Sequence, residues 1–233
     1  MSTQMQNEVS IASRILGAAG LDDYIWGHAS MRDPDGRGAW LKRAGIGLSE
    51  VAPDDVHLVS PDGRVIEGSG EPHIEYPIHT ELLAARDDIG AVVHIHPPYA
   101  IALAASGVPL RAFGHAGSLF TPPDLPRFDL TSDLIRSAEL GASLAEALGD
   151  RNAAFLVNHG IVTVGVDLPT AVFTAMLLEE ACRQQALTAT FGGRPTWTPD
   201  AEAAEKRDRI YSPLAVHNVW GYLGRKLASE VDA

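Results

Sequence analysis

Ala91-Val92-Val93-His94-Ile95-His96-Pro97 places two histidines two residues apart at the end of a short apolar run. Successive side chains of a β-strand point to opposite faces, so the run predicts a strand on which His94 and His96 share one face. Pro97 and Pro98 end it, because proline has no amide hydrogen to give to a sheet ladder. Two imidazoles side by side can hold a divalent metal if a third ligand arrives from elsewhere, and catalytic sites of this kind keep one position open. Phe155-Leu156-Val157-Asn158-His159-Gly160 offers that third ligand in His159. Spacing alone leaves two readings open: a metal site, or an accidental His-x-His pair with His159 as a turn residue.

Working outward, the chain alternates short strands with helices. Val9 to Ala19 carries Ile11, Ile15, Leu16 and Ala19 at helical spacing, with Gly20 as a stop. Ile25 to Arg32 predicts a turn entering a strand, and Asp33-Pro34-Asp35-Gly36 is a turn signal. Ala39 to Lys42 and Val56 to Ser60 predict strands, the second leading through Pro61-Asp62-Gly63 into Arg64-Val65-Ile66. Hairpin turns between short strands predict an antiparallel first half. Pro72 to Ala85 predicts a helix with Pro77 in or near its first turn. Tyr99 to Ala105 predicts a short helix ended by Gly107, Arg111 to Pro126 a loop, and Ser132 to Leu148 a helix with Gly149 past its end. Ala153 to Val157 and Ile161 to Val164 predict strands flanking Asn158-His159-Gly160, and Pro169 to Phe191 the longest helix. With no internal repeat and no linker, the pattern predicts an α/β fold. One domain would span residues 1–233, with a central, largely antiparallel sheet and a helical tail from about residue 199 that breaks at Pro213.

Composition narrows the partners. A hydrophobic share of 45% over 233 residues is that of a globular chain. Net charge is −12, from 18 basic against 30 acidic residues, which opposes nucleic acid or an anionic membrane as partner but leaves room for a small anionic substrate. No apolar run approaches the roughly 18 residues of a membrane span. Met1 to Ser10 lacks the basic-then-apolar order of a signal peptide, so a cytoplasmic protein is expected. Cys182 is the sole cysteine, which excludes an internal disulfide and predicts a buried thiol in a helix.

Glu75 and His79, four apart just before the histidine strand, would share one helical face. A carboxylate there could be a fourth metal ligand or a general acid/base. In this order, Glu75-x3-His79, Ala91-Val92-Val93-His94-x-His96-Pro97 and Asn158-His159-Gly160 resemble the class II aldolase/adducin family. The resemblance implies an αβα fold around a mixed sheet and a divalent ion on His94, His96 and His159, zinc first, with manganese, iron or cobalt as alternatives. It also implies Glu75 as the catalytic residue, and a homo-oligomer, a tetramer or larger.

Departures from the sugar-phosphate members bear on substrate. Those members carry Gly-Asn-x-Ser where this chain has Gly27-His28-Ala29-Ser30, and they hold phosphate with hydroxyls and amides. The corresponding segments here are Ala44-Gly45-Ile46-Gly47-Leu48-Ser49 and Gly70-Glu71-Pro72-His73-Ile74-Glu75. Pro72 removes an amide and Glu71 adds negative charge, so a sugar phosphate fits poorly. If the family architecture holds, His28, His73 and His115 converge on the metal, with Ser30 and Arg32 among the substrate contacts; imidazoles suit phenol oxygens and carboxylates. Lys42, Arg43 and Arg111 are weaker candidates than Arg32 for a carboxylate. The chain thus looks most similar to the decarboxylase branch, typified by 3,4-dihydroxyphthalate decarboxylases. The expectation is a metal-dependent carbon–carbon lyase that decarboxylates a hydroxylated aromatic acid, the metal stabilising the electron pair left behind. An aldolase for a hydroxy-keto acid or sugar-phosphate-like substrate is the alternative. A non-catalytic, adducin-like binding protein or an iron oxygenase fits less well.

Overall fold

The computed structural model of the chain describes residues 2–231, with side chains to residue 229. Helix α1 (Ser2–Leu16) runs into a wider turn, Gly17–Leu21, and Gly27 (φ +77°) turns the chain into β1 (His28–Arg32). Strands β2 (Ala39–Lys42), β3 (Val56–Val59) and β4 (Val65–Glu67) follow as an antiparallel meander. Then come α2 (Tyr76–Ala85), β5 (Ala91–Ile95), α3 (Pro98–Ser106) and α4 (Gly114–Phe120). The remainder is β6 (Arg127–Phe128), α5 (Ala138–Leu148), β7 (Ala153–Leu156), β8 (Gly160–Gly165), α6 (Leu168–Thr190), α7 (Asp200–Ile210) and α8 (Pro213–Val231).

The eight strands among the described residues form one sheet in the order β4-β3-β2-β1-β5-β8-β7-β6. Every neighbouring pair is antiparallel except β6 and β7, so the sheet is mixed and largely antiparallel as expected. Strand alternation divides the core in two. Ala91, Val93 and Ile95 of β5, with Ala29 of β1, pack beneath α1, α3, α4 and α6. Val92 turns the other way and joins Val162, Val164 and Leu156 against Ile78 and Leu82 of α2 and Leu144 and Leu148 of α5. Burying each such leucine or isoleucine contributes about 1.5–3 kcal/mol. His94, one step past Val93, therefore stands on the α2/α5 face. Cys182 is buried in α6, and no helix among the described residues is long and apolar enough to cross a membrane.

Three expectations need correction. The helix expected from Pro72 begins only at Tyr76, with Glu75 at its cap position (φ −96°, ψ 25°) and Pro77 in the first turn, where a missing amide costs nothing. Glu75 and His79 therefore do not share a helical face. The helix expected from Ser132 begins at Ala138, because the Ser137 hydroxyl caps it by accepting from the Leu140 amide at 3.3 Å. The stretch from Arg111 to Pro126 is not all loop but contains α4. Its glycines hid the helix, and Gly117 is there for close approach: a Cβ would lie 2.6 Å from the Arg111 carbonyl oxygen.

Candidate metal centre

Strands β1 and β5 pair with His28 opposite His94 and Ser30 opposite Val92, so His28, Ser30 and His94 stand on one face of adjacent strands. Helix α2 lies over that face and brings His79 down onto it. His96 follows just past the end of β5. His159 comes from the tight turn between β7 and β8, where Asn158 takes a left-handed conformation (φ 58°). Gly160 lets that turn close: a Cβ there would lie 2.5 Å from the Ile95 carbonyl oxygen and 2.8 Å from the His96 ring.

The three histidines converge. His94 and His96 have their Nε2 atoms 3.1 Å apart, and the His159 ring centroid lies 5.0 Å and 5.3 Å from theirs. Partners behind the rings fix which nitrogen is free. His94 Nδ1 faces the Ile161 carbonyl at 2.9 Å and His96 Nδ1 faces an Asp23 carboxylate oxygen at 3.0 Å. Both partners only accept, so both Nδ1 atoms carry the hydrogen and both Nε2 atoms present lone pairs to each other. Such a pair repels unless a cation shares it. Both ring nitrogens of His159 are buried and have no hydrogen-bond partner among the described residues, an arrangement that costs about 1–3 kcal/mol per atom and is relieved when a nitrogen binds a cation. Burial lowers the pKa of His94 far below the usual histidine value and that of His159 to about 4, and it lowers that of His96 against the pull of Asp23. All three are therefore neutral near pH 7, the state that binds metal.

Glu75 closes the group. Its Oε2 lies 3.8 Å from His94 Nε2 and its Oε1 3.5 Å from His159 Nε2. Oε1 also accepts the Ile135 amide at 2.9 Å. Burial raises its pKa to about 7, against the pull of that amide. One candidate ligand atom from each of Glu75, His94, His96 and His159 lies within 4.8 Å of the rest, as metal binding requires. The donor set, neutral imidazoles with one carboxylate, suits zinc and similar divalent ions.

A second group adjoins the first through the same carboxylate: His28, His73 and Glu75 also bring ligand atoms within 4.8 Å of one another. The His28 and His73 rings lie 4.0 Å apart. Behind them His28 Nδ1 meets His79 Nε2 at 2.5 Å, and His79 Nδ1 meets the Ser30 hydroxyl at 2.5 Å. His28 Nε2 is buried and has no hydrogen-bond partner among the described residues.

Three expected substrate contacts do not face the site directly: Ser30 is wholly buried behind His79, and Arg32 and His115 lie elsewhere. Arg32 shares the β1 face with His28 but sits at the strand's far end, where its guanidinium donates to the carbonyls of Leu83, Arg86 and Ile89 at 2.6–3.1 Å. It ties down the end of α2. His115 is exposed on α4, and no ring contact among the described residues joins it to the other histidines. Of the weaker basic candidates, Lys42 is buried and donates to the Ile25 and Ile46 carbonyls, Arg43 pairs with Asp55, and Arg111 stacks on Trp197. Sequence reasoning missed the Asp23 carboxylate, the Ile135 amide and the place of His79 beneath His28. Only the spacing of His79 from Glu75 gave any signal.

Comparison with known proteins accords with this geometry. The class II aldolase and adducin N-terminal domain family matches residues 7–186. The chain belongs to that family. A 3,4-dihydroxyphthalate decarboxylase of Arthrobacter keyseri is 32% identical over 213 residues, 86% of this chain and 85% of that protein. A 5-methylthioribulose-1-phosphate/5-deoxyribulose-1-phosphate aldolase of Rhodospirillum rubrum is 30% identical over 74% of this chain and 76% of its own. Among solved structures, an L-fuculose 1-phosphate aldolase from Glaciozyma antarctica superposes with a TM-score of 0.84 at 25% identity, over 97% of this chain and 88% of that one. This class II aldolase-family chain is accordingly an enzyme, and its activity is that of a lyase.

Proposed function

We propose that His94, His96 and His159 hold a divalent cation, zinc first, and that the enzyme decarboxylates a small, non-phosphorylated, hydroxylated aromatic acid such as a dihydroxyphthalate. The observation that carries this reading is the pair His28 and His73, their rings 4.0 Å apart, which adjoins the metal histidines through Glu75 and through the His28 ring, 5.2 Å from that of His94. The two segments that hold phosphate in sugar-phosphate relatives meet here through the Ala44 amide, which donates to the Glu71 carbonyl at 2.9 Å, and Ser49, the one hydroxyl side chain they contain, is engaged by the Asp22 carboxylate. Exposed Glu71 and half-buried Pro72 beside them disfavour a dianion. Similarity to the Arthrobacter decarboxylase supports the same choice.

Bound among the three imidazoles, a divalent ion would supply Lewis acidity to draw electrons toward a substrate oxygen. The protein's own groups do the rest. The bond from ring carbon to carboxylate breaks, its electron pair stays with the ring, and CO2 leaves. Glu75, anchored through Oε1 by the Ile135 amide, gives a proton from Oε2 to the ring carbon and is reprotonated by one proton taken up from solvent, so each turnover consumes one proton. For 3,4-dihydroxyphthalate the products are CO2 and 3,4-dihydroxybenzoate. Release of CO2 from dihydroxyphthalates, measured beside aldehyde release from hydroxy-keto acids, tests the assignment. CO2 release alone is expected; aldehyde release alone would favour the aldolase reading that the Rhodospirillum relative supports. Activity on a sugar phosphate and on no free acid would defeat the argument from Glu71 and Pro72.

The reading includes a homo-oligomer. Tyr24, Ile25 and Trp26, 82%, 44% and 51% exposed, form an apolar patch beside Asp23, the partner of His96. Light scattering in solution is expected to give a mass of several chains.

A further inference from the structure

The hydrogen-bond chain behind His28 has only two neutral proton arrangements. In one, the Ser30 hydroxyl donates to His79 Nδ1, His79 Nε2–H donates to His28 Nδ1, and His28 Nε2 carries a hydrogen. In the other, every hydrogen is reversed, and the Ser30 hydroxyl must donate to a further acceptor. Ser30 is wholly buried, and His79 is its one side-chain partner among the described residues. The first arrangement satisfies every group except the one turned into the site, His28 Nε2. His73 is fixed independently: its Nδ1 accepts the Glu75 amide at 3.3 Å, so the neutral ring carries its hydrogen on Nε2. Both rings are buried away from solvent. A metal needs lone pairs, and these two rings offer hydrogens.

We propose that His28 and His73 form a two-donor subsite for a carboxylate oxygen of the substrate, with Ser30 and His79 as positioning residues that hold His28 as its Nε2–H tautomer. The subsite rests on the reading above, since it gives the anionic substrate its second anchor beside the metal. It also means that the group of His28, His73 and Glu75 is not a second metal site, although its ligand atoms are close enough for one. Ser30 acts on the substrate through two rings and does not touch it.

The test uses full-length, zinc-loaded protein labelled with [15N]histidine. Nitrogen NMR is expected to show protonated Nε2 and bare Nδ1 on both His28 and His73. The wild-type spectrum alone decides the tautomers, whether or not any variant folds. A proton on His28 Nδ1 would overturn the proposal. So would a second zinc equivalent that His73→Ala removes. Ser30→Ala is expected to release His79, move part of the His28 population to Nδ1–H, and raise the Kd of 3,4-dihydroxybenzoate about tenfold by calorimetry, with zinc content unchanged. Ser30→Thr is expected to restore tautomer and affinity. Unchanged affinity in Ser30→Ala with an altered tautomer would sink the positioning role. If the tautomers and the binding are as expected but 3,4-dihydroxyphthalate releases no CO2, the decarboxylase reading fails and the subsite stands.

Discussion

At the scale of single residues, the free nitrogen on each ring is decided by a partner behind it. Ile161 and Asp23 turn the lone pairs of His94 and His96 toward each other, and among the described residues His159 has no hydrogen-bond partner for either nitrogen. His94→Ala or His159→Ala should lower zinc from about one per chain to a small fraction of that, measured by elemental analysis of purified protein. Full metal content in both would show that the ligands are elsewhere. Glu75→Gln keeps an oxygen for the Ile135 amide but has no proton to transfer. It should retain the fold and the metal while kcat falls by roughly 10²–10⁴. Asp23→Asn removes the charge behind His96 and should weaken zinc binding by about 10–100-fold, read by competition with a chromophoric chelator.

At the scale of elements, the site depends on how closely one turn approaches the end of one strand. The β7–β8 turn carries His159 against His94 and His96 only because Gly160 has no Cβ to meet the Ile95 carbonyl at 2.5 Å. Gly160→Ala should lower stability by about 1–3 kcal/mol in urea titration and reduce metal affinity as well. A variant with wild-type stability and full metal affinity would show that the turn can yield. Arg32 illustrates how alternation misleads at this scale. Period two puts it on the same face as His28, but four residues at ~3.3 Å each carry it ~13 Å along the strand. Face was legible in the sequence; position along the face depended on where α2 docks.

At the scale of the whole molecule, the fold buries an array of neutral histidines under one pair of helices, and this makes its stability depend on pH. Burial lowers the pKa of His73 and His79 to about 3, while in the unfolded chain both return to about 6.5. Between those values the unfolded state binds protons that the folded state refuses, so stability falls as pH falls through this window. Each histidine contributes up to about 1.4 kcal/mol per pH unit there. The metal-free protein should therefore unfold at markedly lower urea at pH 5 than at pH 7.5. Equal midpoints would mean that these rings are not buried and neutral.

The sequence by itself determined the residue types and their periods: an apolar strand ending in His-x-His, a histidine in a tight turn, a carboxylate upstream, and alternating helices and strands that cover a sheet on both faces. These were legible because helix and strand repeats are local properties of the chain. Tertiary structure alone decided that His28 lies opposite His94, that His79 rests on His28, and that Asp23 and the Ile135 amide stand behind His96 and Glu75. Each of those contacts joins residues 51–73 positions apart or depends on strand register. Local periodicity carries no record of register or docking, because both follow from burying two apolar faces at once.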